Sequence, residues 1–409
     1  MYLTHVSLHN IRCFAKVGLD LSTPDPNEEL GNITLILGES GSGKTTVLKA
    51  MALSVLTPVI HESGFRSYRL IREHCENASV KGSLLLGAND GAAAPHNFAT
   101  QLDFQRLGSA ESMSVKPDEA LSLPLSGNQL AQRNSPAAKT MNERYYSDDD
   151  SAFFLAGYGA TRRMELGDYR PASLRSKMMA RYQRTASLFA DDFALLPFNA
   201  WLPDLKPKRR KEVTHLIRKL LPDENVDLIV EPDQGEYNFK KDGLTIPFSA
   251  LSDGYRAFLA WTTDLIGHLC LCSDERLALK DMEGVVLVDE VDLHLHPEWQ
   301  MVVVEKISTT FPKLQFILTS HSPIVAGTLP ARCIFHSYRD DQGHAVLSKG
   351  SEEIRGQSAE QILLSPYFGL KTTRSKGMHR KLEERSRRAN DGDLAAAEEY
   401  LELAGRGSR

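Results

Sequence analysis

An α/β fold with a mostly parallel nucleotide-binding sheet is predicted by three observations. Residues 33–37, 284–288 and 314–318 are short, nearly uninterrupted apolar runs, the composition of strands buried on both faces. The first runs straight into Gly38-Glu-Ser-Gly-Ser-Gly-Lys44-Thr45, which fits G-x-x-x-x-G-K-[ST], and then into a helical segment at 44–56. The second ends in two carboxylates, Asp289 and Glu290.

The elements follow in order. Residues 2–17 alternate apolar and polar side chains and read as strands of an antiparallel lobe, closed by the proline-rich turn at 23–29. In the helix at 44–56, Val47, Leu48, Met51, Ala52 and Val55 share one face. Residues 60–150 are dense in Ala, Ser, Gly, Asn and Pro and read as inserted chain with short strands at 83–86 and 98–104. A buried strand returns at 153–156, and residues 162–221 read as mainly helical. Short strands are expected at 226–230, 237–240 and 244–247, with a turn at 241–243 and a long helix at 255–272. From 350 onward the chain is polar and helical in character, with a frayed end at 405–409. These readings divide the chain into four parts: an N-terminal lobe at 1–60, an insert at 61–245 that is first β and loop and then basic and helical, a second lobe at 246–349, and a helical extension at 350–409.

Composition excludes several classes. In 409 residues, 48 Lys+Arg against 53 Asp+Glu leave a net charge of −5, which argues against a generally basic nucleic-acid coat. The five cysteines are scattered and odd in number, which fits a reducing cytoplasm better than a disulfide framework. The most apolar long stretch, 255–272, carries Arg256, Asp264 and His268, so no membrane span is expected.

The spacing of the glycine-rich loop has a chemical reason. Glycines at 38, 41 and 43 allow a tight turn whose N–H groups face phosphate oxygens, and the following helix adds its positive end. Glu39, Ser40, Gly41, Ser42, Gly43, Lys44, Thr45 and Thr46 are thus the candidate phosphate cradle. Lys44 can reach the β- and γ-phosphates, and Thr45 can offer its hydroxyl to Mg²⁺. A dinucleotide fingerprint fails, because Thr45-Thr46 stands where a third glycine is needed. At the end of the second strand, Asp289 is placed to bind Mg²⁺ and Glu290 to polarise the attacking water. The third strand leads to His321, a candidate for contacting the γ-phosphate or orienting the water.

Together these residues resemble ABC-type ATPases, in particular stand-alone SMC-like heads of the wider AAA family. Gly38 to Thr45 is similar to the Walker A motif and Val285 to Glu290 to the Walker B. Leu251-Ser-Asp-Gly254-Tyr-Arg resembles the ABC signature, Asp292 falls where the D-loop is expected, and His321 matches the switch histidine. Asp289-Glu-Val-Asp-Leu-His-Leu-His-Pro297 and Asn10-Ile-Arg-Cys-Phe14 are especially similar to Septu-like and retron-associated ATPases of bacterial anti-phage defence. The resemblance is good over residues 1–60 and 245–330 and weak elsewhere. It implies Arg12 near the adenine, and Ser252, Asp253 and Gly254 capping the γ-phosphate held by another subunit. The active state implied is a head-to-tail homodimer or higher oligomer with ATP and Mg²⁺ between the heads. The chain departs from the pattern at Asp253, where transporters have Gly, and in lacking a clear Q-loop glutamine. Tyr158 or Arg162 stands in that place by order, and Gln101 is a weaker candidate.

Two further patterns carry alternatives. Lys206-Pro-Lys-Arg-Arg-Lys211, with Arg218 and Lys219, and a second series (Arg162, Arg163, Arg170, Arg175, Lys177, Arg181, Arg184) are candidate contacts for DNA or RNA phosphates or else solvated helix faces. His294, His296 and His321 do not form a closed metal set, and His268, Cys270 and Cys272 fall within a helical pattern. The function expected is a cytoplasmic ATPase that switches a partner effector, such as a nuclease, in anti-phage defence. The alternative is a DNA-repair or recombination head that clamps DNA. Roughly 200 residues between the glycine loop and the signature, broken by strands and loops, are too few for a chromosome-spanning coiled-coil arm.

Overall fold

A computed structural model describes residues 1–405 except 62, 64, 91–94, 109, 117–150, 165–179, 222–225, 234–235, 242, 275 and 341–342. Arg170, Arg175 and Lys177 of the second basic series, the centre of the turn at 241–243, and most of the expected frayed end lie outside the described residues. The chain divides into two compact units, Met1–Gly356 and Gln357–Arg409.

Two sheets dominate the first unit. Strands β1 (Tyr2–Ile11), β2 (Phe14–Asp20), β4 (Asn77–Leu86), β5 (His96–Leu107) and β6 (Ala110–Lys116) form an antiparallel sheet in the order β2-β1-β4-β5-β6. Residues 77–116, read from sequence as the β part of an insert, thus extend the same sheet as the first two strands. The expected short strands belong to longer ones: 83–86 is the C-terminal end of β4 and 98–104 the middle of β5. Alternation in β4 buries Ala78, Val80, Leu84 and Leu86 on one face.

The second sheet contains β3 (Ile33–Gly38), β7 (Leu155–Tyr158), β13 (Gly284–Val288), β14 (Leu314–Ser320), β15 (Ile334–Arg339) and β16 (Ala345–Lys349), ordered β16-β15-β3-β14-β13-β7. All neighbours are parallel except β15 and β16. Every residue of β3, β7, β13 and β14 is buried, which explains why their sequences lack alternation. Helix α1 (Lys44–Leu56) packs against strands of both sheets. Its burial is therefore not limited to the one face seen in sequence: Ala50, Leu53, Ser54 and Leu56 are covered as well. Gln315 ties the two sheets together, its side chain accepting from Leu3 N at 2.9 Å and donating to Leu3 O at 2.8 Å.

The remaining elements position the second half of the site. Helix α2 (Pro207–Leu220) buries Val213, Leu216, Ile217 and Leu220 and packs on α4 (Val303–Thr310). Elsewhere in 162–221, read from sequence as mainly helical, the described chain holds single-turn helices at Ala180–Gln183 and Ala186–Phe189 and two-residue strands (β8, Arg163–Met164; β9, Ala194–Leu195). Strands β10 (Val226–Asp233), β11 (Glu236–Lys241) and β12 (Leu244–Pro247) form a small antiparallel sheet. Its Tyr237 and Phe239 pack against Phe198 in tilted and edge-to-face contacts, and Phe239 also against Phe248, just ahead of α3 (Asp253–Cys272). Within the second unit, α5 (Ala359–Leu364) starts with a capping box of Ser358 and Gln361, and α6 (Lys376–Asn390) packs on α7 (Leu394–Gly405) with an Arg385–Glu399 pair at 2.6 Å.

Candidate functional site

Parallel strands deliver their C-terminal ends to one rim of a sheet, so β3, β14 and β13 bring their following loops together. Residues 38–43 turn between β3 and α1. Gly43, at φ 102°, caps α1 in a left-handed conformation, and a Cβ there would meet Phe14 ring carbons and Cys13 Sγ at about 2.6 Å. No other residue type fits both constraints. Glu39, Ser40 and Gly41 are exposed, while Ser42, Lys44 and Thr46 are buried. Ser42 Oγ is a buried hydroxyl with no partner among the described residues. Lys44 Nζ donates to Gly38 O and Glu39 O, both at 2.9 Å, and so lies along the loop. Burial pulls its pKa down to about 8, opposed by Asp289, Glu290, Asp292 and Glu39.

The acidic end of β13 is wired to its neighbours. Thr45 Oγ1 donates to Asp289 Oδ2 at 2.6 Å, and Thr319 Oγ1 donates to Asp289 Oδ1 at 2.6 Å. Thr319 also accepts from Glu290 N at 2.8 Å. Glu290 stands at φ 49°, a conformation that costs a non-glycine residue about 1–3 kcal/mol and persists only where neighbours enforce it. Here Thr319 holds its N–H, while Arg162 Nη2 donates to Asp289 O at 2.5 Å and Glu290 O at 2.7 Å. His321 follows β14, its Nε2 4.0 Å from Glu290 Oε1, and about a third of each side chain is exposed. Lys44, Thr45, Asp289, Glu290 and His321 are thus gathered at one place.

The other expected site residues come from further segments of the chain. Arg12 is exposed in the β1–β2 turn, at φ 48°, near Lys49 of α1. Ser252, Asp253 and Gly254 form the N-terminal end of α3. Ser252 occupies the N-cap position, but its hydroxyl makes no capping hydrogen bond; Asp253 is paired with Arg256 instead. A Cβ on Gly254 would lie 2.6 Å from His294 O, so this turn rests directly on the loop after Glu290. Asp292 Oδ1 in that loop is buried with no partner among the described residues.

Three of the sequence readings find a different environment. Tyr158 is fully buried and spends its hydroxyl on Asp264 Oδ2 at 2.9 Å, so it faces the core. Gln101 pairs with Asp103 on β5, in the other sheet. Arg162 lies at the site, but a guanidinium has no lone pair for a metal, so it acts as a donor to backbone. The basic runs are also partly internal. Arg181 and Arg184 are each 3% exposed, Arg181 donating to Ala152 O and Phe153 O and Arg184 lying over the Phe154 ring. Arg209 is 5% exposed and donates to Glu212, Asp274 O and Leu277 O.

Sequence reading missed Thr319, Ser337 and Arg339. Ser337 Oγ donates to Ser42 O at 2.9 Å and Arg339 to Gly41 O at 3.1 Å, bracing the loop from β15. Only the two hydroxyls of Thr319-Ser320 ahead of His321 offered any signal.

The donor set fits Mg²⁺. A hydroxyl and a carboxylate are hard oxygen groups, and a few protein oxygens completed by phosphate and water are how this ion is held beside nucleotides. No three His, Cys, Asp or Glu gather as a metal site among the described residues, and no helix among them is long and apolar enough to cross a membrane.

A family model described as "AAA domain, putative AbiEii toxin, Type IV TA system" matches residues 33–326, from β3 to just beyond His321. The chain belongs to this family. The AAA domain therefore contains the whole cluster described above. Among curated relatives, the chain is 23% identical over 380 residues to the Septu protein PtuA of Bacillus mycoides (strain KBAB4), covering 91% of this chain and 45% of that protein. It is 22% identical over 410 residues to the Retron Vc95 probable ATPase of Vibrio cholerae serotype O1 biovar El Tor, covering 88% and 78%. The chain thus spans less than half the length of the Bacillus mycoides relative. Among solved structures, an SMC head bound to the C-terminal winged-helix domain of ScpA aligns with a TM-score of 0.49 at 15% identity, covering 85% of this chain and 97% of that one. The SMC head domain from Thermotoga maritima aligns with a TM-score of 0.43 at 13% identity, covering 86% and 100%.

Proposed function

We propose that the chain binds ATP with Mg²⁺ and hydrolyses it between two head-to-tail copies, and that this cycle switches a partner effector in anti-phage defence. The observation that carries the reading is the hydrogen-bond chain Thr45–Asp289–Thr319–Glu290, which joins a glycine-rich phosphate loop to an acidic strand end. Lys44 and the loop amides bind the phosphates. Thr45 and Asp289 would hold Mg²⁺, which would supply positive charge against that of the phosphates. Glu290 polarises the attacking water, and His321, beside it, orients that water or contacts the γ-phosphate. Arg12 is read as the contact to the adenine.

The second half of each site is read as coming from the other copy. Ser252, Asp253 and Gly254 stand at the N-terminal end of a 20-residue helix, where exposed amides and the helix dipole favour an anion. The Septu and retron names of the relatives support a place in defence; a separate effector such as a nuclease is our reading of the partner. The DNA-clamp alternative draws less support, because Arg181, Arg184 and Arg209 of its basic runs serve the interior.

Glu290→Gln tests the reading. The variant is expected to bind ATP, lose hydrolysis and accumulate as an ATP-dependent dimer in light scattering. A variant that stays monomeric with ATP at micromolar protein, beside a wild type that hydrolyses nothing, would falsify it.

A further inference from the structure

We infer that Arg162 is a positioning residue for ATP hydrolysis: it holds the peptide between Asp289 and Glu290 in the form that aims Glu290, and it is itself seated on the helix that carries the signature. The inference rests on the reading of this site as an ATPase centre.

Arg162 follows β7, the edge strand beside β13. Its Nη2 donates to two successive carbonyls, those of Asp289 at 2.5 Å and Glu290 at 2.7 Å, and its Nε donates to Gly159 O at 3.4 Å. The bonds to Asp289 and Glu290 both come from the two hydrogens of one terminal nitrogen, while Nη1 is buried with no partner among the described residues, and the positive charge balances nearby carboxylates. Those two carbonyls flank Glu290 on either side, the residue whose φ of 49° lies in the left-handed region. Loss of this grip frees the local backbone, and displacement of a reacting group by about 1 Å can cost 100-fold in rate.

The seat of Arg162 is equally specific. Its guanidinium lies 5.9 Å from the ring centroid of Trp261, within cation–π range. Trp261 packs on Tyr158 with centroids 5.5 Å apart, and the Tyr158 hydroxyl donates to Asp264 Oδ2 at 2.9 Å. Asp264 Oδ1 accepts from Leu196 N at 2.6 Å. Trp261 and Asp264 both belong to α3, whose first turn is Asp253 and Gly254. One rigid helix therefore carries the residues read as meeting the other copy's nucleotide and the residues that hold Arg162 against this copy's acidic pair. A cavity of about 260 Å³, lined in part by Arg162, Asp253, Arg256 and His294, separates the two ends of this connection.

The test compares wild type with Arg162→Ala, Arg162→Lys, Tyr158→Phe and Trp261→Phe in the full chain, measuring steady-state ATP hydrolysis and equilibrium binding of a fluorescent ATP analogue. Arg162→Ala is expected to lower kcat about 100-fold while the affinity for the analogue changes less than about twofold. Arg162→Lys should recover part of kcat, since an ammonium keeps charge and donors but not the planar group seated at Trp261. Tyr158→Phe, which preserves packing volume, and Trp261→Phe, which keeps an aromatic face on a smaller ring, should lower kcat roughly 3- to 10-fold at unchanged affinity, and they decide the matter if Arg162→Ala fails to fold. Wild-type kcat in Arg162→Ala or in both aromatic variants overturns the inference, as does a loss of binding that matches the loss of kcat. A wild-type chain that hydrolyses no ATP overturns the reading of the site and this inference with it. An active wild type beside an equally active Arg162→Ala overturns the inference alone.

Discussion

Thr45 and Asp289 are 244 positions apart, yet the hydroxyl of one donates to the carboxylate of the other at 2.6 Å. The meeting follows from strand order. β14 lies between β3 and β13, and its Thr319 reaches the second oxygen of the same carboxylate at 2.6 Å. Asp289 is thus held from both sides by threonines, one from the loop-helix turn and one from the central strand.

Thr319→Val removes one of these holds without changing side-chain volume much. It leaves a buried carboxylate oxygen and the Glu290 N–H without their partner. The variant should lose about 1–3 kcal/mol of stability in denaturant titration and about 10- to 100-fold in ATP hydrolysis. Hydrolysis at the wild-type rate would show that Thr319 only packs.

Gly254→Ala places a methyl group 2.6 Å from His294 O, so either the signature turn or the loop after Glu290 must move. We expect ATP to bind as in wild type while the ATP-dependent dimer no longer forms. Light scattering with nucleotide checks this, and an unimpaired dimer would separate the signature turn from the interface.

Helix α2 makes opposite predictions for adjacent basic residues. Arg209→Ala removes hydrogen bonds to Glu212, Asp274 O and Leu277 O from a side chain only 5% exposed, and should destabilise the fold by about 2–4 kcal/mol. Lys208→Ala and Lys211→Ala, on exposed positions, should stay within about 0.5 kcal/mol of wild type. If α2 meets nucleic acid, the two lysine variants weaken binding and flatten its salt dependence; Arg209→Ala is uninformative on that point because it unsettles the helix.

Removal of Mg²⁺ by EDTA should stop hydrolysis and weaken ATP binding. The melting temperature of the nucleotide-free chain should stay unchanged, because Thr45 and Asp289 satisfy each other directly. A large fall in melting temperature on chelation would point to a structural metal instead.

Much of the site was legible because its residues are contiguous in the chain. The glycine loop needs three glycines, a lysine and a hydroxyl at fixed spacing, and the acidic pair needs only a strand behind it. Strands β3, β13 and β14 announced themselves by unbroken apolar composition, since both their faces are covered. Thr319, Ser337 and Arg339 were not legible, because their contacts depend on which strands are neighbours, and neighbours in a sheet need not be neighbours in sequence.

Charge misled for a related reason. Arg181 and Arg184 read as surface cations, and their interior places follow from backbone carbonyls and a phenyl ring supplied by residues 152–154. The β part of the presumed insert likewise turned into the larger share of an antiparallel sheet once β4 paired with β1. By itself the sequence determined which residues are the candidates for phosphate and acid chemistry, because the motifs for that chemistry are local and their spacing is imposed by short-range backbone geometry. Only the tertiary structure decided which hydroxyl, guanidinium and carbonyl would meet that chemistry. Those pairings are set by strand order and burial, which arise from packing the whole chain at once.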